Sequence, residues 1–238
     1  MDPLYLDFAD MRKKRQHFNN QAVINAIMNE NDDEFINSIN EKELERTLID
    51  LDVSKEELLS KCKSDIMFCK LLARNISKNA SRQGVKDECI QIETCDKAAQ
   101  MVNIKIVNLP NNKIRPTKSG DIVSKKEMKE LGIDKNTCLK SFDAEITGQM
   151  TGYISAKVAL GSGGHQDNVF EEEDTLAAWW STYKSGKSEF MVLLIDTDLT
   201  IQFEKLKKKY EKFKNILITN HYDFQKYLIG NYKQVDSM

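Results

Sequence analysis

Three residues between positions 143 and 171 have the types and spacing of a metal-dependent hydrolase. Asp143 lies in a short extended run (SFDAEI), Lys157 ends a second one (GYISAK), and Glu171 opens an acidic cluster after a glycine-rich stretch. A hairpin followed by a helix would bring the three side chains together. Two carboxylates are suitable ligands for Mg²⁺, which polarises a phosphate and lowers the pKa of a bound water, and a lysine can orient that water. The pattern predicts a phosphodiesterase.

The elements that must position these residues follow from the apolar pattern. Helical spacing between residues 20 and 80 predicts a helical N-terminal region, which we assign to residues 1–79. Residues 84–229 predict the order helix, three strands, helix, strand, helix, strand, helix, with one further short helix near residues 124–133. This order and the nearly continuous apolar strands predict an α/β domain over residues 80–238, with a mixed central sheet flanked by helices.

Composition limits the other classes of protein. The chain has 238 residues and a net charge of -2, and no apolar run approaches the roughly 20 residues that a membrane span needs. The N-terminus also lacks the apolar segment of a signal peptide, so we expect a soluble, cytoplasmic protein without a membrane partner. Five cysteines without a CxxC pair argue against a disulfide framework or a zinc site. No GxxxxGK[ST], GxGxxG, HExxH or GxSxG motif is present, which disfavours nucleotide hydrolases, dehydrogenases, zinc proteases and serine hydrolases.

The order of elements, with an acid in the second strand and a lysine ending the third, resembles the PD-(D/E)xK nuclease fold and, within it, type II restriction endonucleases. The resemblance covers about residues 80–228. The metal-binding acid of the family corresponds to Asp143, preceded by Phe142 instead of the usual proline, and its lysine corresponds to Lys157. Ser155 stands where the family usually has Asp or Glu. One branch, which cuts around CCGG cores, also has serine there and takes its second carboxylate from the following helix, at a spacing that corresponds to Glu171.

The resemblance implies a Mg²⁺-dependent enzyme that cuts double-stranded DNA at specific sites. In this interpretation Asp143 and Glu171 hold the metal, Lys157 positions the attacking water, and Ser155 supports the lysine or a bound water. Palindromic targets favour a homodimer, although a monomer that nicks each strand in turn would carry the same motifs. The alternatives are a repair or mobile-element nuclease of the same fold and a non-catalytic DNA-binding or oligomerising protein.

Two groups of residues are candidates for contacts with DNA. The arginine-rich segment with which the CCGG branch reads bases is absent, so that target does not carry over. A row of side chains suited to base edges takes its place, namely His165, Gln166, Asp167 and Asn168. The alternative is a polar loop in which Asp167 or Asn168 caps the next helix. Basic residues cluster at 11–15, 113–129 and 205–214, and within the second cluster we assign Arg115 and Lys118 to phosphates, although such runs can also be solvated faces.

A segment upstream, NASRQGVKDE, also resembles a recurrent restriction-enzyme segment that opens a helix. Arg82 and Gln83 would lie at this helix start and contact a phosphate or a groove. The helix would carry an acid facing the metal site, for which Glu88 is the candidate and Asp87 the competitor. The alternative is an acid-rich first turn favoured by the helix dipole.

Overall fold

The computed structural model describes residues 2–80, 84–110, 113–161, 164–184 and 187–232, and for residues 164–167 the backbone alone. The chain forms two compact units. One, the helical unit, is Asp7–Gly84, and the other, the α/β unit, combines Met1–Leu6 with Val85–Met238. The segment 2–6 therefore groups with the C-terminal part of the chain and not with the helices that follow it in sequence.

The helical unit confirms the helical N-terminal region predicted from apolar spacing. Its helices are α1 (Phe8–Met28), α2 (Asp32–Ser38), α3 (Glu41–Leu51), α4 (Lys55–Ser64) and α5 (Ile66–Ile76). Short polar side chains start these helices, as Ser54 and Glu57 do by forming a reciprocal capping box at α4. The apolar faces pack into a core in which Val23, Cys62 and Ile76 have no exposed surface.

The α/β unit has the predicted order of elements and one additional hairpin. Its helices are α6 (Gly84–Gln100), α7 (Lys125–Glu130), α8 (Gly164–Tyr183), α9 (Thr200–Tyr210) and α10 (His221–Asn231). Its strands are β1 (Ile104–Asn108), β2 (Ile114–Pro116), β3 (Ile122–Ser124), β4 (Ala144–Gly148), β5 (Gly152–Ala159), β6 (Phe190–Thr197) and β7 (Ile216–Thr219). Strands β2 and β3 pair antiparallel in a separate two-stranded sheet, which the sequence analysis missed.

The main sheet is mixed, as predicted, with strand order β1-β4-β5-β6-β7. Strands β1, β4 and β5 are antiparallel neighbours, whereas β5, β6 and β7 run parallel. Alternate residues of each strand face opposite sides. On one side they pack against α6 and α10, through residues such as Ile92 and Phe224, and on the other against α8 and α9, through Trp180 and Leu206. Helices on both faces thus confirm the layered α/β architecture.

Two expectations from composition can be compared with the fold. Over the described ranges, none of the helices combines the length and the apolar character that crossing a membrane requires. All five cysteines are free thiols, and Cys62, Cys69 and Cys95 are buried in apolar cores. These thiols therefore fill space in the cores, as the absence of a CxxC pair indicated.

Candidate active site

The antiparallel pairing of β4 and β5 fixes the candidate acid beside the candidate lysine. Asp143 directly precedes β4, and its backbone N–H donates to the Ile154 carbonyl at 2.8 Å. The Asp143 Oδ2 atom accepts a 2.8 Å hydrogen bond from the backbone N–H of Ala156. Lys157 is the next residue of β5 after Ala156. The lysine side chain therefore starts one residue from the backbone N–H that binds the Asp143 carboxylate. The backbone of the hairpin therefore orients Asp143 before any ligand binds.

The Lys157 ammonium lies among three carboxylates. Its Nζ is 3.2 Å from Asp143 Oδ2, 3.9 Å from Glu173 Oε1 and 4.0 Å from Glu88 Oε1. It also donates to the Ala156 carbonyl at 2.6 Å, and its side chain is only 6% exposed. Burial alone lowers the pKa of Lys157, but the three carboxylates outweigh burial and hold the pKa above its ordinary value. The lysine is therefore a fixed positive charge.

The helix acid that faces Lys157 is Glu173 and not Glu171, which corrects the sequence analysis. Helix α8 begins at Gly164, and its buried face repeats at Glu173, Leu176, Ala177 and Trp180. Glu171 and Glu172 lie on the exposed side of the same turn. The apolar residues at positions 176, 177 and 180 carried this signal, because an acid three residues before Leu176 shares their face of a helix.

Glu173 is fully buried, and among the described residues only one of its two carboxylate oxygens has a hydrogen-bond partner. The Ser155 hydroxyl donates to Oε1 at 2.7 Å, whereas Oε2 is buried and has no hydrogen-bond partner among the described residues. Burial raises the pKa of Glu173 to about 7, and it outweighs the lowering by Lys157 and by the Ser155 hydrogen bond. An unsatisfied buried oxygen is rare and costly in folded proteins. The Oε2 atom is therefore the clearest position for a ligand.

Glu88 completes the cluster from α6. It meets the expectation that an acid of this helix faces the site, and its competitor Asp87 is fully buried. Among the residues described, the carboxylates that pair with Lys157 are those of Glu88, Asp143 and Glu173. Burial raises the pKa of Glu88, with Lys157 opposing the shift. Glu88 is therefore a better proton acceptor than an ordinary carboxylate.

The carboxylates fit Mg²⁺ as a partial ligand set. Within the described parts of the chain, no group of three or more His, Cys, Asp or Glu side chains has the geometry to hold a metal ion. Mg²⁺ does not require such a cage, since it usually binds through one or two carboxylates and takes its remaining ligands from water and substrate phosphates. Asp143 and Glu173 supply two carboxylates at one end of the sheet, and the described residues offer Glu173 Oε2 no other partner.

The predicted base contacts differ in what the structure describes. His165, Gln166 and Asp167 belong to the first turns of α8, but their side chains lie outside the described residues. Asn168 is exposed in the same helix. The expectation that Asp167 or Asn168 caps this helix is wrong, because the helix begins earlier, at Gly164.

The predicted phosphate contacts also have different outcomes. Arg82 and Gln83 lie outside the described residues. Lys118 is exposed, as a phosphate contact would be. Arg115 is buried, with 8% exposure, on strand β2. A buried guanidinium needs a specific partner.

A polar cluster next to the Lys157 backbone was not predicted from the sequence. The Gln91 amide nitrogen on α6 donates to Asp196 Oδ2 at 2.5 Å and to the Leu194 carbonyl at 3.1 Å, and it lies 3.4 Å from the Lys157 carbonyl. Asp196 Oδ1 in turn lies 2.6 Å from His221 Nδ1. Gln91 thereby joins α6 to the ends of β5 and β6, and a lone glutamine in a helical pattern gives no signal for this.

Comparisons of the chain with protein-family models, with curated proteins and with solved structures found no match. A functional assignment therefore depends on the geometry around Lys157. That geometry combines a fixed cation, carboxylates from three different elements and an unpartnered buried oxygen.

Proposed function

We propose that this protein is a Mg²⁺-dependent DNA endonuclease whose active site comprises Asp143, Lys157, Glu173 and Glu88. The observation that supports the proposal most is the free Oε2 atom of Glu173, buried beside a lysine that already contacts Asp143. Two carboxylates and a lysine at one end of a mixed sheet can serve the hydrolysis of a phosphodiester, with the carboxylates as ligands of a metal ion and the lysine as a cation for the phosphate. In this proposal Glu173 has the metal-binding role that the sequence analysis gave to Glu171.

Each residue of the cluster has a distinct task in this proposal. Asp143 and Glu173 would hold Mg²⁺, which on binding supplies charge that polarises the phosphate and favours ionisation of water. Lys157 stays protonated and stabilises the negative charge that builds on the phosphate oxygens. Glu88 can accept a proton from the attacking water. Ser155 fixes the Glu173 carboxylate through its hydrogen bond.

Double-stranded DNA is the proposed substrate because basic and polar side chains lie on the segments that carry the cluster. Lys140, three residues before Asp143, forms an ion pair with Glu172 at the exposed side of α8. Asn168 is exposed near the start of the same helix, where an amide can pair with the edge of adenine. We further propose that cleavage is site-specific and that the enzyme acts as a homodimer on palindromic sites.

Digestion of mapped plasmid DNA tests this proposal. We expect cleavage with Mg²⁺ and none with a chelator, and we expect Lys157→Ala to abolish cleavage while DNA binding stays measurable. Lys105→Ala is the matched control, because Lys105 is an exposed strand lysine outside the cluster. Discrete fragments with uniform ends would support a site-specific enzyme, and a smear would indicate a nuclease that selects by DNA structure. A protein that binds DNA but cuts none with any divalent metal would overturn the assignment.

A further inference from the structure

A basic pocket lies next to the small β2–β3 sheet. It has a volume of about 500 Å³. Four cations and two apolar side chains line it, namely Arg115, Lys125, Lys129, Lys135, Met128 and Ile133. No acidic residue is among these lining side chains. The pocket therefore combines a concentration of positive charge with apolar surface from two side chains.

Arg115 is the buried member of this pocket. Its side chain donates from Nη1 to the Leu139 carbonyl at 2.9 Å, and no carboxylate pairs with it anywhere in the described ranges. A guanidinium carries five N–H donors, and buried charges are normally paired. The remaining donors of Arg115 have the fork geometry that suits a phosphate.

The three lysines that line the pocket lie on α7 and shortly after it. Lys125 and Lys129 are four residues apart on α7 and share one face, and Lys135 follows in the next turn of the chain. None of the three pairs with a carboxylate of the described residues, whereas Lys126, on another face of α7, lies 3.8 Å from Glu130. The three ammonium groups that line the pocket are thus available, within the described chain, to bind an anion.

Backbone hydrogen bonds connect strand β2, which carries Arg115, to the segment that precedes Asp143 in the candidate active site. The segment that leads into Asp143 hydrogen-bonds to strand β2, since Leu139 N–H donates to the Pro116 carbonyl at 2.8 Å and Phe142 N–H to the Ile114 carbonyl at 3.1 Å. Leu139 precedes Asp143 by four residues, a separation of at most about 14 Å. Phosphates recur every 3.4 Å or so along the axis of each DNA strand. One duplex could therefore reach both places within a few base pairs.

We infer that this pocket binds a backbone phosphate of the DNA duplex that is cut at Asp143 and Lys157. The inference rests on the proposed function and adds a second, non-catalytic anchoring point to it. A sugar-phosphate suits the lining better than a free anion does, because Met128 and Ile133 offer apolar surface to a deoxyribose beside the cations. The contact is independent of base sequence and fixes the position of the duplex.

Salt-dependent DNA binding tests the inference. The triple substitution Lys125→Gln, Lys129→Gln and Lys135→Gln changes exposed side chains and leaves the buried Arg115 in place. We expect it to weaken binding of a labelled duplex about tenfold or more at low salt, without metal to prevent cleavage. The slope of log affinity against log salt should fall by about 1, because the one phosphate that the pocket neutralises contributes roughly 0.9 to that slope. Lys126→Gln is the matched control and should leave the slope unchanged.

The outcomes separate this inference from the proposed function. If the wild type binds and cuts DNA but the triple variant keeps the wild-type slope, the pocket is not a DNA contact, whereas the active-site assignment stands. If the slope falls but no metal supports cleavage, the pocket stands and the nuclease assignment fails. Inorganic phosphate is the second probe. Thermal stabilisation of the wild type alone by phosphate, with equal DNA affinity in both proteins, would make this a small-anion site and overturn the inference.

Discussion

Ser155 and Glu173 share the position that a single strand carboxylate would occupy beside Lys157. A serine side chain is too short to replace a glutamate, but its hydroxyl holds the carboxylate that α8 supplies, at 2.7 Å. Helix α8 thus supplies the negative charge beside Lys157, and strand β5 supplies the serine that orients the Glu173 carboxylate. Substitutions at these two positions should therefore have unequal effects.

The first prediction compares acids of the same helix turn. Glu173→Ala should reduce Mg²⁺-dependent cleavage by about 100-fold or more, since losing a ligand costs more than losing the groups that orient it, which are worth roughly 10 to 100-fold. Ser155→Ala should keep part of the activity, because the carboxylate remains. Glu171→Ala is the exposed control and should cut at nearly the wild-type rate. Initial rates on plasmid DNA measure all three, and a larger loss at Glu171 than at Glu173 would contradict the structure.

The second prediction uses the raised pKa of Glu173. The folded protein binds the Glu173 proton more tightly than the unfolded chain, whose pKa is near 4.5, so the stability that this proton contributes is complete below pH 4.5 and is lost as pH rises through about 7. Glu173→Gln removes this loss. Its free energy of unfolding relative to wild type should rise by about 3 kcal/mol between these pH values and then stay constant.

Urea unfolding across the pH range measures this difference. Glu172→Gln provides the matched control, because Glu172 is exposed and one residue away. A pH-independent difference for Glu173→Gln would show that folding leaves the pKa of Glu173 unchanged.

At the scale of elements, most of the α/β unit could be predicted, because long apolar strands and amphipathic helices carry strong periodic signals. The small sheet escaped prediction since β2 and β3 have three residues each, too few to show alternation. The start of α8 was also missed. Its first turn is a glycine and polar residues that are equally typical of a loop. The expected ligand was placed at Glu171 by the spacing in the resembled family, whereas the buried face of α8 selects Glu173.

The third prediction concerns the connection that Gln91 makes between α6 and the sheet. Gln91→Leu would leave the buried Leu194 carbonyl without that donor, which costs about 1 to 3 kcal/mol of stability. Because the Gln91 amide also lies beside the Lys157 carbonyl, turnover should fall even at temperatures where the variant is fully folded. Gln100→Leu is the control. It replaces an exposed glutamine of the same helix and should change neither property.

Thermal unfolding and cleavage rates at low temperature distinguish the two effects of Gln91→Leu. A variant that loses stability but keeps the wild-type rate would restrict Gln91 to a structural role. A variant with wild-type stability would contradict the hydrogen bonds described above.

At the scale of the whole molecule, the α/β unit is not one continuous stretch of chain. Residues 2–6 form a strap on α10, in which the Leu4 backbone exchanges two 2.9 Å hydrogen bonds with the Gln225 side chain. The Leu6 N–H donates to His221 Nε2 at 2.8 Å. His221 therefore anchors the strap through one ring nitrogen and contacts Asp196 through the other. A catalytic role is not needed to explain it.

The fourth prediction follows from this strap. Deletion of residues 2–6 should destabilise the α/β unit by about 1.5 to 4.5 kcal/mol, from three hydrogen bonds worth about 0.5 to 1.5 kcal/mol each. The two tryptophans of the chain, Trp179 and Trp180, both lie in that unit, so their fluorescence reports its unfolding selectively. Leu51→Ala, an exposed change in the helical unit, should leave this signal unchanged. An unaltered transition after the deletion would show that the strap contributes no stability.

The contact between the strap and α10 closes a loop of the chain, and the entire helical unit lies within that loop. Loop closure costs entropy that rises only with the logarithm of length, about 0.6 kcal/mol for each doubling. Melting of the helices would lengthen the loop without opening it, so the strap would lose little of its effective concentration near α10. After a proteolytic cut inside the helical unit, packing of the helices still joins the two fragments, and only melting of that unit leaves the strap on a separate molecule held by three hydrogen bonds. Heating should therefore release the strap from a nicked chain at the temperature where the helices melt, whereas an intact chain retains the contact.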